Sequence, residues 1–168
     1  MYTDIFNETD MINLQNLLNL HKKTITTAES CTGGLISSYI TEISGSSNIF
    51  NGAIISYSNE IKNQELFVKK ETLEKHGAVS SEVVKQMLSG ALKKFDANYA
   101  IAVSGIAGPT GGVKDKPVGT VVIGIADDTG YNDIEIYHFK GTRKGVQIQA
   151  AKTSLKKISK FLRKTLDK

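Results

Sequence analysis

The sequence predicts an α/β fold, in which a three-layer α/β/α sandwich surrounds a mixed, partly parallel sheet. Short β-branched segments alternate with longer segments of helical periodicity, and two later strands form a predicted antiparallel hairpin. The chain has 168 residues, of which 40% are hydrophobic and 23% charged, enough apolar material for a sizeable core. We therefore expect a single globular domain without repeats or linkers.

The first half of the chain supplies the predicted parallel strands. In chain order we expect a helix behind a possible Asp10 N-cap, a strand at 24–28, a helix at 33–43, a mostly buried strand at 52–58 and a polar helix at 60–67. The first helix has one apolar face, formed by Leu14, Leu17, Leu18 and His21. Gly45 follows the second helix and is placed to end it.

The second half contains the clearest helix, a third strand, the hairpin and a long last helix. Ser80 or Ser81 caps the clear helix, whose apolar residues share one face: Val84, Met87, Leu88, Ala91, Leu92 and Phe95. The third strand covers 99–103, and strands at 119–126 and 133–139 flank a turn at 128–130. The last helix runs from about Arg143 to Leu166, with an apolar stripe on one face and lysines on another.

Positive charge is concentrated near the carboxyl terminus. Residues 140–168 contain ten Lys or Arg against one acid, Asp167, which is a net charge of +9. Because the whole chain carries +4, the rest of the chain carries −5. The pI near 9.0 therefore describes a basic segment attached to a mildly acidic body.

The cysteine and histidine content and the amino-terminal segment argue against disulfide-bonded, metal-binding, secreted and membrane proteins. Cys31 is the single cysteine and the three histidines are scattered, so we expect no disulfide, no metal site and no cofactor. The first ten residues carry acids where a signal peptide is basic, and no apolar run is long enough to cross a membrane. We therefore expect a cytoplasmic protein.

Residues 28–34 pass from a predicted strand into a predicted helix, a place where open α/β sheets bind ligands. A hydroxyl or thiol there can attack a substrate, and free amides at a helix start suit an anion or an oxyanion. From spacing alone, helix capping by Ser30 or Thr32 is the simpler interpretation. Cys31 is a rival nucleophile, although no His lies nearby in sequence to activate it.

Two more loops follow predicted strands. Tyr57 and Lys62 lie past the second strand, and a lysine in a poorly hydrated pocket can take a proton from a serine, although alone such a lysine is more often a surface charge. The glycine-rich segment 104–112 either turns backbone amides toward a phosphate or forms a mobile loop without a ligand. Arg143 begins the last helix, where a guanidinium is able to clamp a phosphate.

Together these loops resemble one family, the C-terminal domain of CinA (competence/damage-inducible protein), whose stand-alone members are nicotinamide mononucleotide amidohydrolases. The matching segments are 26–34, 44–47 with Phe50, 57–62, 76–80, 102–109, 116–121 and 141–143. They cover nearly all of the chain in the family's order, which predicts one such domain over residues 1–168. Larger members of the family add an N-terminal domain linked to ADP-ribose hydrolysis, for which this chain has no room.

The resemblance implies hydrolysis of the carboxamide of nicotinamide mononucleotide to nicotinate mononucleotide and ammonia, within NAD salvage. It makes Ser30 the nucleophile, Lys62 its general base, and Tyr57 a residue that orients or relays the proton. Amides at the start of the following helix would bind the oxyanion. The implied substrate-binding residues are Thr32, Gly33, Gly34, Ser47, Ser104, Gly105, Ile106, Ala107, Gly108, Gly112 and Arg143.

One departure from the family and two alternatives stay open. Gln147 occupies a position where the family commonly has a second basic residue, so phosphate affinity is weaker here or another lysine substitutes. A non-catalytic nucleotide-binding or competence-associated interaction module would need neither Ser30 nor Lys62. The +9 segment suggests nucleic acid, but it lacks a recognised fold signature and interleaved aromatics. We expect a nucleotide substrate, no nucleic-acid or membrane partner, and a homo-oligomer such as a dimer.

Overall fold

The computed structural model describes residues 1–167. Its elements, in chain order, are α1 (Glu8–Leu20), β1 (Ile25–Glu29), α2 (Leu35–Thr41), a short 3-10 helix (Ser46–Asn48), β2 (Phe50–Ile55), α3 (Asn59–Leu66), α4 (Lys70–His76), α5 (Ser81–Phe95), β3 (Tyr99–Gly105), β4 (Thr120–Asp127), β5 (Asn132–His138) and α6 (Arg143–Leu166). No helix among these residues is both long and apolar enough to span a membrane.

The five strands form one mixed sheet in the order β2-β1-β3-β4-β5. Strand β1 pairs in parallel with β2 on one side and β3 on the other. Strands β3, β4 and β5 pair antiparallel, which confirms the hairpin. The carboxyl ends of the three parallel strands therefore meet at one edge of the sheet, next to the three loops that the sequence singles out.

Helices cover both faces of the sheet, so the predicted three-layer α/β/α sandwich is confirmed. One apolar cluster joins α1, α2 and α6 to the sheet through residues that include Leu14, Ile36 and Leu155. The other lies between the opposite face and α5, with Val84 and Met87 at its centre. Burying a side chain of this size contributes roughly 1.5–3 kcal/mol. The long helices α5 and α6 thus fix the sheet from its two sides.

Helix α1 begins one turn earlier than the sequence suggests. Its N-cap is Asn7, whose side chain accepts a hydrogen bond from the amide of Asp10 at 3.1 Å. Asp10 is the third helical residue and accepts in turn from the amide of Asn7 at 3.0 Å. This reciprocal capping box satisfies two helix-end donors, so the prediction of Asp10 as the N-cap is wrong by three residues.

Two other boundaries move for local reasons. Helix α2 begins at Leu35 and not at Gly33, because Gly33 and Gly34 take φ values of +61° and +100° in the turn that precedes it. It also ends at Thr41, before Gly45. Helix α4 was not predicted, since Leu73 is its one buried residue and leaves no apolar periodicity to detect.

Strand β2 differs most from its prediction. It begins earlier, at Phe50, because the amide of Ile25 bonds to the carbonyl of Ile49 at 2.8 Å. It ends at Ile55, and Ser58 then caps α3 by accepting from the amide of Ile61. The strand lies at the edge of the sheet and is only partly buried. An uncharged apolar sequence does not distinguish a central strand from an unpaired edge.

Candidate active site

A cavity of about 280 Å³ opens at the carboxyl ends of the parallel strands. It is lined by residues from all three predicted loops and from the start of α6, including Ser30, Tyr57, Lys62, Ser104 and Arg143. These side chains are up to 113 residues apart in the sequence. They meet here because the strands that precede them end at the same edge of the sheet. The structure brings the principal predicted residues into one pocket.

The centre of the cavity is a pair formed by Ser30 and Lys62. Ser30 directly follows β1, and Lys62 lies on the first turn of α3, whose N-cap is Ser58. The Lys62 Nζ atom donates a hydrogen bond to Ser30 Oγ at 3.0 Å and another to the carbonyl of Ser56 at 2.7 Å. Once the amine is neutral, the same contact lets it accept the hydroxyl proton of Ser30.

Lys62 is 1% exposed, and no carboxylate forms a salt bridge with it among residues 1–167. Burial disfavours the ammonium form and lowers the pKa of Lys62 from 10.5 to about 8. A substantial fraction of the side chain is therefore neutral near physiological pH. The interior surroundings thus supply a base beside the hydroxyl without a histidine.

Cys31, the rival nucleophile, also lines the cavity but is chemically unsuited to attack. Its thiol is buried, and desolvation raises its pKa from 9.0 to about 12. A backbone hydrogen bond and the nearby positive charge of Lys62 lower the pKa, but desolvation outweighs them. Because the thiolate is the reactive form, the protonated thiol makes a poor nucleophile at neutral pH. The geometry favours Ser30.

Glu29 is a site residue that the sequence reasoning did not select. Its carboxylate is fully buried and accepts five hydrogen bonds. The donors lie in β1, in the turn after Ser30 and on the first turn of α2; they are the hydroxyls of Thr27, Thr32 and Ser37 and the amides of Ile36 and Ser37. The carboxylate therefore fixes the turn that carries Ser30. The available signal was an acid at the end of an otherwise uncharged strand, directly before Ser30.

Arg143 connects two walls of the cavity. Its guanidinium donates to the carbonyl of Gly108 at 2.8 Å and to the hydroxyl of Tyr57 at 2.8 Å. Thr142 caps the helix that Arg143 begins, by accepting from the amide of Gly145. Tyr57 is 62% exposed, and its hydroxyl contacts Arg143 and not Ser30 or Lys62. This position suits the cavity entrance better than a proton relay.

The glycine-rich segment 104–112 forms one wall of the cavity. The structure places Ser104, Gly105, Ile106, Ala107 and Gly108 on the cavity, as predicted. Gly112 does not line it, since this residue packs against the backbone of Val118. Five further residues line the cavity: Asn59, Ala78, Val79, Thr110 and Gly111. They lie in segments 57–62, 76–80 and 104–112, but none was predicted individually as a site residue. None of these five residues is a charged group or an obvious nucleophile, so only their place in the structure identifies them as part of the cavity.

Four other predicted binding residues do not line the cavity. The Thr32 hydroxyl is committed to Glu29 at 2.8 Å, and the amide of Gly33 donates to the carbonyl of Ser30 at 3.0 Å. Gly34 occupies the turn before α2 and does not line the pocket. Ser47 is in the short helix before β2, at the opposite end of the parallel strands. These four residues therefore do not line the cavity with Ser30 and Lys62, and their roles in substrate binding stay predictions.

Gln147, the departure from the family pattern, has a structural partner beside the nucleophile. Its side-chain amide donates to the carbonyl of Cys31 at 3.0 Å. The residue lies one helical turn after Arg143, so α6 contacts the Ser30 turn and the cavity entrance from one face. A glutamine here ties α6 to the loop but adds no positive charge to the cavity.

Comparisons with known proteins give consistent results over most of the chain. The family model for the CinA C-terminal domain matches residues 8–162. A CinA-like protein from Syntrophomonas wolfei is 50% identical over 147 residues, which are 88% of this chain and 35% of that protein. Another from Fervidobacterium nodosum is 50% identical over 131 residues, or 78% of this chain and 32% of that protein. The chain spans about a third of these curated relatives.

Solved structures have the same fold over nearly their full length. A competence/damage-inducible protein from Agrobacterium tumefaciens is 36% identical, with a TM-score of 0.89 and coverage of 93% of this chain and 94% of that one. A CinA superfamily protein from Klebsiella pneumoniae is 30% identical, with a TM-score of 0.89 and coverage of 94% and 98%. Together with the matched family model, these likenesses show that the chain belongs to the CinA C-terminal domain family.

Proposed function

We propose that this protein is an amidohydrolase that converts nicotinamide mononucleotide and water to nicotinate mononucleotide and ammonia, within NAD salvage. The observation that carries the proposal is the 3.0 Å contact between Lys62 Nζ and Ser30 Oγ in a buried setting that lowers the lysine pKa to about 8. A serine beside a neutral lysine supplies the nucleophile and the general base that amide hydrolysis through an acyl-enzyme requires. The resemblance of the three loops to the stand-alone family members supplies the substrate.

Acylation begins with proton transfer. As Ser30 Oγ attacks the carboxamide carbon, its proton moves to Lys62 Nζ, which becomes an ammonium ion. The resulting tetrahedral intermediate carries an oxyanion. When it collapses, the carbon–nitrogen bond breaks, and Lys62 returns the proton to the leaving nitrogen, which departs as ammonia. The product of this half-reaction is an ester between Ser30 and the nicotinoyl group.

Deacylation uses the same two residues. A water molecule attacks the ester carbon while Lys62 takes its proton, and the proton then passes to Ser30 Oγ as the ester bond breaks. The carboxylic acid leaves and loses its proton to solvent. The carbonyl of Ser56, 2.7 Å from Nζ, keeps the lysine aimed at Ser30 through both steps. Such fixed geometry contributes to the rate because no reorientation is needed at the barrier.

Arg143 is the group best suited to the substrate phosphate. It is the arginine that lines the cavity, and its guanidinium is held by Gly108 at one nitrogen. A planar guanidinium can bind two phosphate oxygens at once. We assign the hydroxyl of Tyr57 to the same end of the substrate, since it contacts Arg143 and not the reacting pair. The family resemblance implies instead that Tyr57 orients or relays the proton.

The proposal is tested by incubating purified protein with nicotinamide mononucleotide and measuring ammonia and nicotinate mononucleotide in equal amounts. Ser30→Ala should abolish release, whereas Thr41→Ala, which removes a remote hydroxyl bonded within its own helix, should retain it. Absence of turnover above the Ser30→Ala background would overturn the proposal. It would leave the non-catalytic nucleotide-binding or competence-associated module, for which binding without turnover is the signature.

A further inference from the structure

A groove of about 480 Å³ lies between β5 and α6, and it shares no lining residue with the candidate active-site cavity. Its floor follows from the register of the hairpin. Asp133 and Glu135 of β5 lie directly opposite Ile125 and Ile123 of β4, which pack in the apolar cluster that includes α6. Directly opposed residues of an antiparallel pair point to the same face of a sheet, so these two acids also face α6. The volume is in the range of ligand-binding sites.

The α6 side of this groove carries a row of three lysines, Lys156, Lys160 and Lys164. They are four residues apart and therefore share one helix face, over a length of about 12 Å. All three are exposed, and among residues 1–167 none of them forms a salt bridge. Their positive charge is therefore available to an anionic ligand.

The two acids on the floor do not cancel the charge of the lysine row. Both are bound by Lys157, whose Nζ atom lies 2.8 Å from Asp133 and 2.9 Å from Glu135 and whose side chain is 9% exposed. The hydroxyl of Tyr137 also donates a hydrogen bond to Glu135. Four lysines and two acids line the groove, which leaves a net charge of +2. The groove as a whole therefore attracts anions.

An aromatic ring lies in the same groove. Tyr131 is 45% exposed, and its ring stacks on that of Phe161 with a centroid distance of 4.7 Å and an angle of 1°. Because Phe161 covers one face of the ring, the opposite face is left for solvent or a ligand. The amide of Tyr131 donates to the Asp127 carboxylate at 3.1 Å, and its carbonyl accepts from the Asp127 amide at 3.0 Å. The ring is therefore positioned before any ligand binds.

The sequence alone does not reveal this combination. Residues 140–168 hold the excess positive charge but contain one aromatic residue, Phe161, so the basic segment has no interleaved aromatics. The fold adds Tyr131 and Tyr137 to the lysine row from β5, which lies outside that segment. A positive groove with an exposed stacking ring is typical of sites that bind single-stranded nucleic acid.

We propose that the groove between β5 and α6 binds single-stranded nucleic acid, with phosphates along the lysine row and one base stacked on the open face of Tyr131. Every base has a flat aromatic face, so this site has little sequence preference. The proposal departs from the expectation of no nucleic-acid partner, and it does not rest on the proposed function.

The stacking ring distinguishes this ligand from other anions. The bases of a duplex are already paired and stacked, so a duplex would contact the lysines and leave Tyr131 unused. An acidic peptide or an anionic membrane would also need only the lysines. The open face of Tyr131 therefore favours a strand with unpaired bases over these three alternatives.

Binding is tested by fluorescence anisotropy with the full chain and a labelled oligothymidylate of about 12 nucleotides, which is within the usual site size. At about 50 mM salt we expect a Kd of roughly 1–100 μM. Three phosphate contacts to a single strand predict a slope of about −2 for the logarithm of the binding constant against that of the salt concentration.

Variants of the two parts of the groove test them separately. Changing the three lysines of the row to Gln should weaken binding at least about tenfold and remove most of the salt dependence. The matched control removes the same charge from the helices on the other face of the sheet, by changing Lys70, Lys75 and Lys85 to Gln, and should alter the Kd by less than about threefold. Circular dichroism checks that both triple variants are folded.

The stacking contact has its own pair of variants. Tyr131→Ala should weaken single-strand binding at least about fivefold and leave duplex binding unchanged, whereas Tyr131→Phe, which keeps the ring, should bind like the wild type. A photoreactive strand that contains 5-iodouracil should cross-link to Tyr131 in the wild-type protein, with mass spectrometry as the readout. The cross-link does not require the Ala variant to fold.

Several outcomes would overturn the proposal. They are no binding by the wild type, equal losses from the two triple variants, equal binding by Tyr131→Ala and Tyr131→Phe, or cross-linking only outside the groove. Tighter binding of polyglutamate, or of phosphatidylserine vesicles, would assign the lysine row to an acidic protein or a membrane instead.

The same assay separates this groove from the candidate active site. Ser30→Ala should bind the strand like the wild type, and excess nicotinamide mononucleotide should not displace it, because the groove and the cavity share no residue. Displacement by the mononucleotide would place the strand in the cavity and refute the groove. Failure of amide hydrolysis would leave the strand-binding result unchanged, so the two proposals fail separately.

Discussion

Two buried ionisable residues flank the nucleophile, and their surroundings are opposite in kind. The carboxylate of Glu29 accepts five hydrogen bonds from β1, the Ser30 turn and α2. The amine of Lys62 donates two, to Ser30 and to the carbonyl of Ser56. Glu29 is 0% exposed and Lys62 is 1% exposed, so burial alone does not separate them. The difference lies in how completely each charge is compensated.

This contrast distinguishes a structural group, the Glu29 carboxylate, from a reactive group, the Lys62 amine. A fully hydrogen-bonded carboxylate stabilises the turn around Ser30, because removing any donor leaves a buried acceptor unsatisfied. An incompletely compensated ammonium is destabilised, and its lowered pKa makes the neutral amine available. Burial of Glu29 therefore holds the Ser30 turn in place, whereas burial of Lys62 makes its amine reactive. Five predictions test the residue roles on which that contrast depends.

The largest expected effect is on activity when Lys62 is changed to Met, which keeps the shape of the side chain and removes the base. We expect amide hydrolysis to fall by roughly 10³-fold or more, because Ser30 then has no proton acceptor. Turnover of nicotinamide mononucleotide is the measurement. Retention of more than about a tenth of the activity would contradict the role of Lys62.

The same variant should be more stable than the wild type at neutral pH. The folded pKa of Lys62 is lowered from 10.5 to about 8, so the unfolded chain binds more protons between those values and wild-type stability rises with pH through that window. Below pH 8 the ammonium destabilises the fold, and its removal should add about 1–3 kcal/mol to the free energy of unfolding. The gain should shrink above pH 8. A loss of stability at pH 7 would contradict the contrast with Glu29.

The next effect is on stability when Glu29 is changed to Gln. The amide group of Gln would face donors that now point at a carboxylate, so we expect the free energy of unfolding to fall by about 2–4 kcal/mol. Denaturant unfolding measures it. The control is Glu65→Gln, because Glu65 is an exposed partner of Lys94 at 2.7 Å and should change stability by less than about 1 kcal/mol. Equal effects of the two substitutions would refute the structural role of Glu29.

The pH dependence of the reaction gives a smaller and more specific effect. Since neutral Lys62 is the base, kcat/KM should rise with pH and level off above about 8, and it should fall about tenfold for each pH unit below that value. Steady-state rates at constant ionic strength measure the profile. A flat profile between about pH 6 and 9 would show that the titration of Lys62 does not govern the rate.

The smallest effect is expected from Cys31→Ala. The thiol has a pKa of about 12 and is protonated at neutral pH, so its removal should leave activity within about threefold of the wild type. Assays of Cys31→Ala and Ser30→Ala side by side distinguish the two nucleophiles. An inactive, folded Cys31→Ala protein with an active Ser30→Ala protein would reverse the assignment.

The elements that were predicted well have strong local signals. Helix α6 has its expected bounds because its apolar stripe and the Thr142 cap are encoded within its own 24 residues. The hairpin of β4 and β5 follows from its turn residues in the same way. The sequence does not predict helix α4, because its single buried leucine gives no apolar periodicity. The sequence predicts a mostly buried β2, because nothing in its apolar pattern indicates that the strand lies at the edge of the sheet. Local patterns record what a segment buries, not where it lies in the sheet.

For the site, the sequence determined the chemical inventory: Ser30, Lys62, Arg143 and a glycine-rich loop, recognised through their order along the chain. Only the tertiary structure decided which of them meet, that Tyr57 contacts Arg143, that Glu29 holds the Ser30 turn, and that Ser47 lies at the far end of the strands. The physical reason is that reactivity here depends on burial and on contacts between distant segments. Lys62 is an ordinary lysine in sequence, and it becomes a base because the fold removes it from water.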